Sequence, residues 1–190
     1  DGKTVYFQRN GNQVVAVGVR DGKERIVYQS GINVSVPPKT ELQTPHVGSN
    51  GRLAVTFRNT MRATAVVGQG GKVNKVGKGC QLSWAPGDRF LFKIDDGKRM
   101  GNAVYKINPK TLESKVWFDA PLPFSHEYFP VVANTSDVLV YGASAEGHEH
   151  DTADYEIFLW VIGRPENEAM RITYHTGNDC WPDLHLRRPL

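Results

Sequence analysis

The sequence lacks the features of several classes of protein. It has only two cysteines, Cys80 and Cys180, and no CxxC pair, so a disulfide scaffold is excluded and free thiols are expected. No apolar run approaches the ~18 residues that a membrane span needs, so we predict no membrane insertion. The first residues also lack the basic and apolar regions of a signal peptide.

The charged residues do not form long runs of one sign. The net charge is +3, and the Lys and Arg residues are scattered without five or six like charges in succession. A nucleic-acid-binding surface would need a basic patch or stripe. We therefore expect a solvated surface of mixed charge and no nucleic-acid partner.

Helical periodicity is missing as well. No apolar i, i+3, i+4, i+7 stripe is long enough for a helix, and 19 Gly and 11 Pro residues divide the chain into short apolar segments. Asn-Gly and Asp-Gly pairs between such segments are strong hairpin signals. The sequence therefore predicts an all-β chain. The predicted strands are Thr4–Arg9, Gln13–Arg20, Glu24–Gln29, Leu53–Arg58, Ala63–Val67, Lys72–Val76, Arg89–Ile94, Ala103–Ile107, Ser114–Phe118, Val138–Tyr141, Tyr155–Ile162 and Met170–Tyr174.

The strands recur in sets, and a short additional strand precedes each later set. These short strands align on Pro45, Leu82, Pro130 and Pro182, which are 37, 48 and 52 residues apart. Four antiparallel strands in ~40–50 residues are typical of a β-propeller blade. We predict a single propeller domain, residues 1–190. Its units are approximately 1–41, 42–79, 80–127 and 128–179, and residues 180–190 complete the first blade.

One turn and the strand after it carry a family resemblance. Ser83–Phe92 reads Ser-Trp-Ala-Pro-Gly-Asp-Arg-Phe-Leu-Phe, which resembles the TolB-type (WD-like) propeller repeat of bacterial proteins. Asp1–Phe7 is similar to the second half of that motif, whereas Val47–Gly51 and Val132–Ser136 lack its Pro-Asp-Gly core. The resemblance covers essentially the whole chain and implies a propeller whose channel mouth meets ligands and protein partners. It also implies a periplasmic or extracellular location in bacteria.

The two ends of the chain suggest how the ring closes. We predict about four blades, in which Trp181–Leu186 is the innermost strand of the first blade and pairs with Thr4–Arg9. Closure of this kind removes two exposed sheet edges and predicts a monomer. The alternative is a fragment of a larger propeller, since the resemblance implies six to eight blades.

Polar loops define the predicted site. Glu146–Asp151 is the one dense cluster of ligand-type residues, and His148, His150 and Asp151 could hold a divalent cation such as Ca²⁺ or Zn²⁺. The alternative is an exposed polar insertion. Blade geometry gathers polar loops around a concave mouth, which is the usual place for a ligand. The predicted ligand-binding residues are His126, Glu127, His148, His150, Asp151, His175, Asp179 and Trp181.

No catalytic motif is complete. Gly142–Glu146 comes near a nucleophile elbow but lacks its second Gly and its strand–turn–helix context. We therefore predict a non-enzymatic binding module that presents its mouth loops to a protein or saccharide partner. Two alternatives remain open: a metal-assisted hydrolase or lyase that acts at the mouth, and an accessory domain of a larger protein.

Overall fold

The computed structural model describes residues 2–32, 35–98, 101–147, 149–174 and 176–188. Within these ranges the chain forms fifteen β-strands and three single-turn 3₁₀ helices, Gln69–Gly71, Pro86–Asp88 and Glu166–Glu168. No helix in the described ranges is long and apolar enough to cross a membrane. The predicted all-β fold is confirmed.

The strands form four antiparallel sheets, each built from strands that follow one another along the chain. The first sheet contains β1 (Thr4–Arg9), β2 (Gln13–Gly18) and β3 (Glu24–Gln29), and the second contains β4 (Glu41–Val47), β5 (Leu53–Arg58), β6 (Ala63–Val67) and β7 (Val73–Gly77). The third sheet contains β8 (Cys80–Trp84), β9 (Leu91–Asp96), β10 (Asn102–Ile107) and β11 (Ser114–Phe118). The fourth sheet contains β12 (His126–Val132), β13 (Val138–Ser144), β14 (Glu156–Val161) and β15 (Met170–Arg171). Four strands in up-and-down order are the arrangement of a propeller blade.

The residue before each of the four aligned positions has a left-handed backbone. The φ angles of Thr44, Gln81, Phe129 and Trp181 are 48°, 53°, 54° and 59°. Such angles are uncommon for residues with large side chains, and in β4 and β12 they coincide with a shift in strand register. A bulge of this kind bends the strand and re-aims a side chain. The repeats therefore share a backbone geometry, which the spacing of the aligned residues had only suggested.

The predicted closing strand does not form, so this part of the prediction is wrong. Residues 181–186 have no strand hydrogen bonding, and the first sheet has three strands in the described part of the chain where the others have four. The Asn134 side chain instead bonds both backbone groups of Leu186, and Pro182 has no N–H to donate to a ladder. The alternative of blades from a larger propeller is consistent with this arrangement.

The chain divides into two compact units, each with a core between neighbouring sheets. One unit is Asp1–Leu91 with Pro109–Glu113, and the other is Phe92–Asn108 with Ser114–Leu190. In the first unit, buried side chains of the first two sheets pack together; they include Val14, Tyr28, Leu42, Val55, Phe57 and Ala65. In the second, the Phe118 ring lies 4.9 Å from Tyr141 and 4.8 Å from Trp160, centroid to centroid. Large rings fill the space between sheets, as wedge-shaped blades require.

Candidate binding surface on the fourth sheet

Residues 176–188, which we call the C-terminal segment, cross the fourth sheet. The Asp179 N–H donates to the Tyr155 carbonyl at 2.8 Å, beside the start of β14. Further along, Leu186 is bonded to Asn134 in the turn between β12 and β13. The Asp179 carbonyl also lies 3.7 Å from the position that a Cβ on Gly142 would occupy. The segment therefore passes over β13 where that strand has no side chain.

A group of aromatic rings lies where the C-terminal segment meets β12. The Trp181 ring packs on Phe129, with centroids 4.2 Å apart and planes at 44°. Phe129 also contacts Tyr155 at 5.5 Å and His150 at 4.9 Å, and His150 lies 4.6 Å from Tyr128. We call these five residues the aromatic surface. A contact between two Phe, Tyr or Trp rings contributes about 0.5–1.5 kcal/mol of stability in addition to the burial of their apolar surface.

The aromatic surface has a buried base and an exposed top. Phe129 and Tyr155 are buried in the described part of the fold, whereas Trp181 is 65% exposed and His150 is also exposed. Phe129 and Trp181 both precede a proline and both have the left-handed backbone of the repeat. The same local geometry in two successive repeats thus brings their two rings together.

Polar groups bond the C-terminal segment to the loop between β13 and β14, residues 145–155. The Asn178 amide donates to the His150 carbonyl at 2.6 Å, and its oxygen accepts from the Cys180 thiol at 3.0 Å. Burial raises the pKa of Cys180, and the negative charges of Asp179 and Asp151 raise it further. The two carboxylates therefore create a negative potential beside Trp181.

The loop between β13 and β14 carries exposed acidic side chains. Its Glu146, Glu149, Asp151 and Asp154 are all exposed. From residue 116 to residue 163 the sequence has eight Asp or Glu residues and no Lys or Arg. The strands β12 to β14 and the loops between them therefore contain acidic residues and no Lys or Arg, in a chain whose net charge is +3.

The structure brings together four of the eight predicted site residues. His150 and Trp181 belong to the aromatic surface, while Asp151 and Asp179 act on Cys180 beside it. His126 is half-buried at the start of β12, opposite Ser144.

The other predicted residues are placed differently. Glu127 is fully buried, and its carboxylate accepts a hydrogen bond from the Ala120 N–H. Burial raises the pKa of Tyr141, and the negative charge of Glu127 raises it further. His148 and His175 lie outside the described residues. The ligand-binding role of the eight residues stays a prediction.

The metal site also stays a prediction. In the part of the chain that the structure describes, no group of three or more His, Cys, Asp and Glu residues could hold an ion. Of the predicted ligands, His150 and Asp151 are exposed neighbours in the acidic loop, and His148 is not described. Imidazole and carboxylate together suit Zn²⁺ or a similar divalent ion.

The site prediction missed Tyr128, Phe129 and Tyr155, which are members of the aromatic surface, although the sequence contains two signals for this place. The first signal is that Phe129–Pro130 repeats the aromatic–proline pair Trp181–Pro182. The second signal is the long stretch without Lys or Arg. Both were visible, but only the fold shows that they meet at one place.

Solved structures of low sequence identity share this fold. TolB from Acinetobacter baumannii superposes with a TM-score of 0.69 at 9% identity, over 95% of this chain and 43% of that one. A protein of Agrobacterium tumefaciens provisionally assigned as TolB gives 0.64 at 10% identity, over 88% of this chain and 59% of that one. The fold is that of a TolB-type β-propeller. This chain thus spans about half the length of those two proteins.

The structure of an enzyme also resembles this fold. An oligogalacturonate lyase in complex with manganese superposes with a TM-score of 0.52 at 12% identity, over 92% of this chain and 63% of that one. No protein-family model and no curated protein matches the sequence. Likeness at such low identity concerns the fold alone, because one fold can carry many functions.

Proposed function

We propose that this TolB-type chain is a non-enzymatic module that binds a protein or saccharide partner through its aromatic surface. The observation that carries the proposal is Trp181, which is 65% exposed and yet packs 4.2 Å from the buried Phe129. A large ring held in one position loses little conformational freedom on binding. Trp and Tyr accordingly dominate the energetics of binding surfaces.

The location that we propose is the bacterial periplasm or the cell exterior. It is supported by the resemblance of the repeats to bacterial TolB-type proteins. Fractionation of cells that express the full-length gene product tests it, and recovery of the protein in the cytoplasm alone would contradict it.

The experiment for the binding proposal uses a peptide array and a glycan array. Wild type is compared with Trp181→Ala and with Tyr174→Ala, which removes a 72% exposed ring from the same unit. We expect wild type and Tyr174→Ala to bind the same probes, and Trp181→Ala to lose about tenfold or more in affinity for them. Equal binding by Trp181→Ala, or no binding by wild type to either array, would contradict the proposal.

A metal-assisted hydrolase or lyase is the second candidate function. It is favoured by the exposed pair His150 and Asp151 and by the similar fold of the manganese-containing lyase. Titration with Zn²⁺, Ca²⁺ or Mn²⁺ should then raise the melting temperature, because an ion that binds only the folded state stabilises it. His150→Ala should abolish the shift. An unchanged melting temperature at saturating metal would rule this candidate out.

A further inference from the structure

We infer that the partner of the aromatic surface is a basic polypeptide segment, which places an Arg or Lys side chain against the exposed face of Trp181. The inference rests on the proposed function and specifies the chemistry of its partner. It follows from the charge around the aromatic surface, from the nature of the exposed ring and from the spread of the acidic side chains.

Negative charge lies beside Trp181, because Glu149 and Asp151 flank His150 in the chain, and the rings of His150 and Trp181 both pack on Phe129. Asp151 and Asp179 both act on the thiol of Cys180, the residue next to Trp181. Glu146, Glu149 and Asp154 extend this charge along the exposed loop. Charge complementarity steers a cationic partner to such a surface and disfavours anionic partners, which include nucleic acids and acidic saccharides.

The exposed ring is of the type that binds cations best. A cation over an aromatic face is attracted by the ring quadrupole, and Trp is the strongest of the aromatic residues in this respect. The chain itself uses such pairs: Arg52 lies 5.4 Å from the Trp84 ring and Arg171 lies 4.7 Å from the Tyr174 ring. Trp181 offers the same kind of face to solvent.

The spread of the carboxylates favours a polypeptide over a single small cation. Four exposed acidic residues are distributed over residues 146–154, and they do not converge with other ligand types into a group that could hold a metal among the described residues. Several separate charges beside an apolar ring match a segment that carries several basic side chains. A neutral saccharide would use the ring but gain nothing from the charges.

The test measures binding of three immobilised probe sets at about 50 and 200 mM salt. The sets are short peptides with several Arg or Lys residues, the same peptides with Glu in their place, and neutral oligosaccharides. Four proteins are compared: wild type, Trp181→Ala, the double variant Glu149→Gln with Asp151→Asn, and a control, Asp21→Asn with Glu113→Gln. The control removes two exposed carboxylates elsewhere.

Wild type and the control should bind basic peptides, more weakly at the higher salt, and should not bind the Glu peptides. Both the Trp181→Ala variant and the Glu149→Gln, Asp151→Asn variant should lose about tenfold or more in affinity at low salt. Circular dichroism melting confirms that each variant is folded before it is measured.

Three outcomes would overturn the inference. If wild type binds neutral oligosaccharides or Glu peptides, and only Trp181→Ala abolishes this, the partner is not basic but the proposed function stands. If the charge variant weakens binding and Trp181→Ala does not, attraction is unspecific and both proposals fail. If wild type binds none of the probes, the inference also fails.

Discussion

Asn134 and Leu186 exchange two hydrogen bonds. The Asn134 amide donates to the Leu186 carbonyl at 3.0 Å, and its oxygen accepts from the Leu186 N–H at 2.7 Å. The side chain thus bonds the C-terminal segment as a neighbouring strand would, although only at one residue. Because Trp181 lies in the same segment, this pair helps to position the aromatic surface.

Removal of the Asn134 amide should loosen the C-terminal segment. Asn134→Ala loses both bonds, which at an exposed site contribute on the order of 1 kcal/mol. In a Cys80→Ser background we expect Cys180 to be alkylated several-fold faster. Asn134→Asp should be intermediate, because its carboxylate accepts from the Leu186 N–H but cannot donate. An alkylation rate equal to that of the parent in both variants would show that the pair does not hold the segment.

Much of the strand pattern could be predicted from local signals. Five strands have the predicted bounds, namely Thr4–Arg9, Glu24–Gln29, Leu53–Arg58, Ala63–Val67 and Ser114–Phe118. Met170–Tyr174, in contrast, is a strand only at Met170–Arg171. There the Ile157 N–H donates to the Thr173 hydroxyl at 2.9 Å. A side chain replaces a backbone partner, and no pattern of hydrophobicity indicates such a replacement.

The C-terminal segment shows that strand pairing cannot be predicted from the local sequence pattern alone. Its side chains alternate as those of a strand do, since Asp183 and His185 are exposed while Leu184 and Leu186 are half-buried. The alternation indicates which side faces the protein, but strand pairing also needs a neighbouring edge. That partner is non-local, and the pattern of residues 181–186 contains no information about it.

Only the exposed part of the candidate site could be predicted from the sequence. His150, Asp151 and Trp181 were predicted because exposed polar loops and an aromatic residue beside a strand suggest a ligand. Phe129 and Tyr155 are buried, and apart from the aromatic–proline pair at Phe129 nothing in the sequence distinguishes them from ordinary core residues. They join the site because the chain returns over the fourth sheet.

In the first unit, Asp88 binds the turn between β4 and β5, and its removal should destabilise the protein. Its carboxylate accepts from the Ser49 N–H at 3.0 Å, the Ser49 hydroxyl at 2.6 Å and the Asn50 N–H at 2.7 Å. Asp88→Gly should lower the free energy of unfolding by about 1–2 kcal/mol. Asp88→Ala should cost more, because Asp88 has a φ of 55° that glycine tolerates and alanine does not.

Urea denaturation of wild type and the two Asp88 variants measures these differences. The comparison of Ala with Gly separates backbone strain from the lost hydrogen bonds. If Asp88→Gly is as stable as wild type, the three bonds contribute nothing and the turn is held by other contacts.

The thiol of Cys180 should react slowly at neutral pH. Burial and the charges of Asp179 and Asp151 raise its pKa, and the thiolate is the reactive form. The alkylation rate should therefore rise at a higher pH than for an ordinary thiol. Asp151→Asn removes one of the negative charges, so its rate profile should move to lower pH. The Cys80→Ser background isolates the signal, and an unmoved profile in Asp151→Asn would contradict the placement of Asp151.

His46 should make the stability of the protein depend on pH. Its Nδ1 accepts a hydrogen bond from the backbone N–H of Trp84 at 3.1 Å, which requires the Nδ1 atom to be unprotonated. Burial lowers the pKa of His46 below its ordinary value of 6.5, and the charge of Asp88 opposes this in part. Above pH 6.5 the residue is largely neutral in both states and has little effect on stability.

As the pH falls below 6.5, the unfolded chain binds a proton that the folded chain resists, so the free energy of unfolding decreases. The decrease should level off below the folded pKa and should be small, because His46 as a whole residue is exposed and solvent screens the effect of the atoms packed around its ring. His46→Asn offers an uncharged acceptor near the same position and should remove this part of the pH dependence. Urea denaturation between about pH 8 and pH 5 measures it. Identical pH profiles for the two proteins would show that folding does not change the protonation of His46.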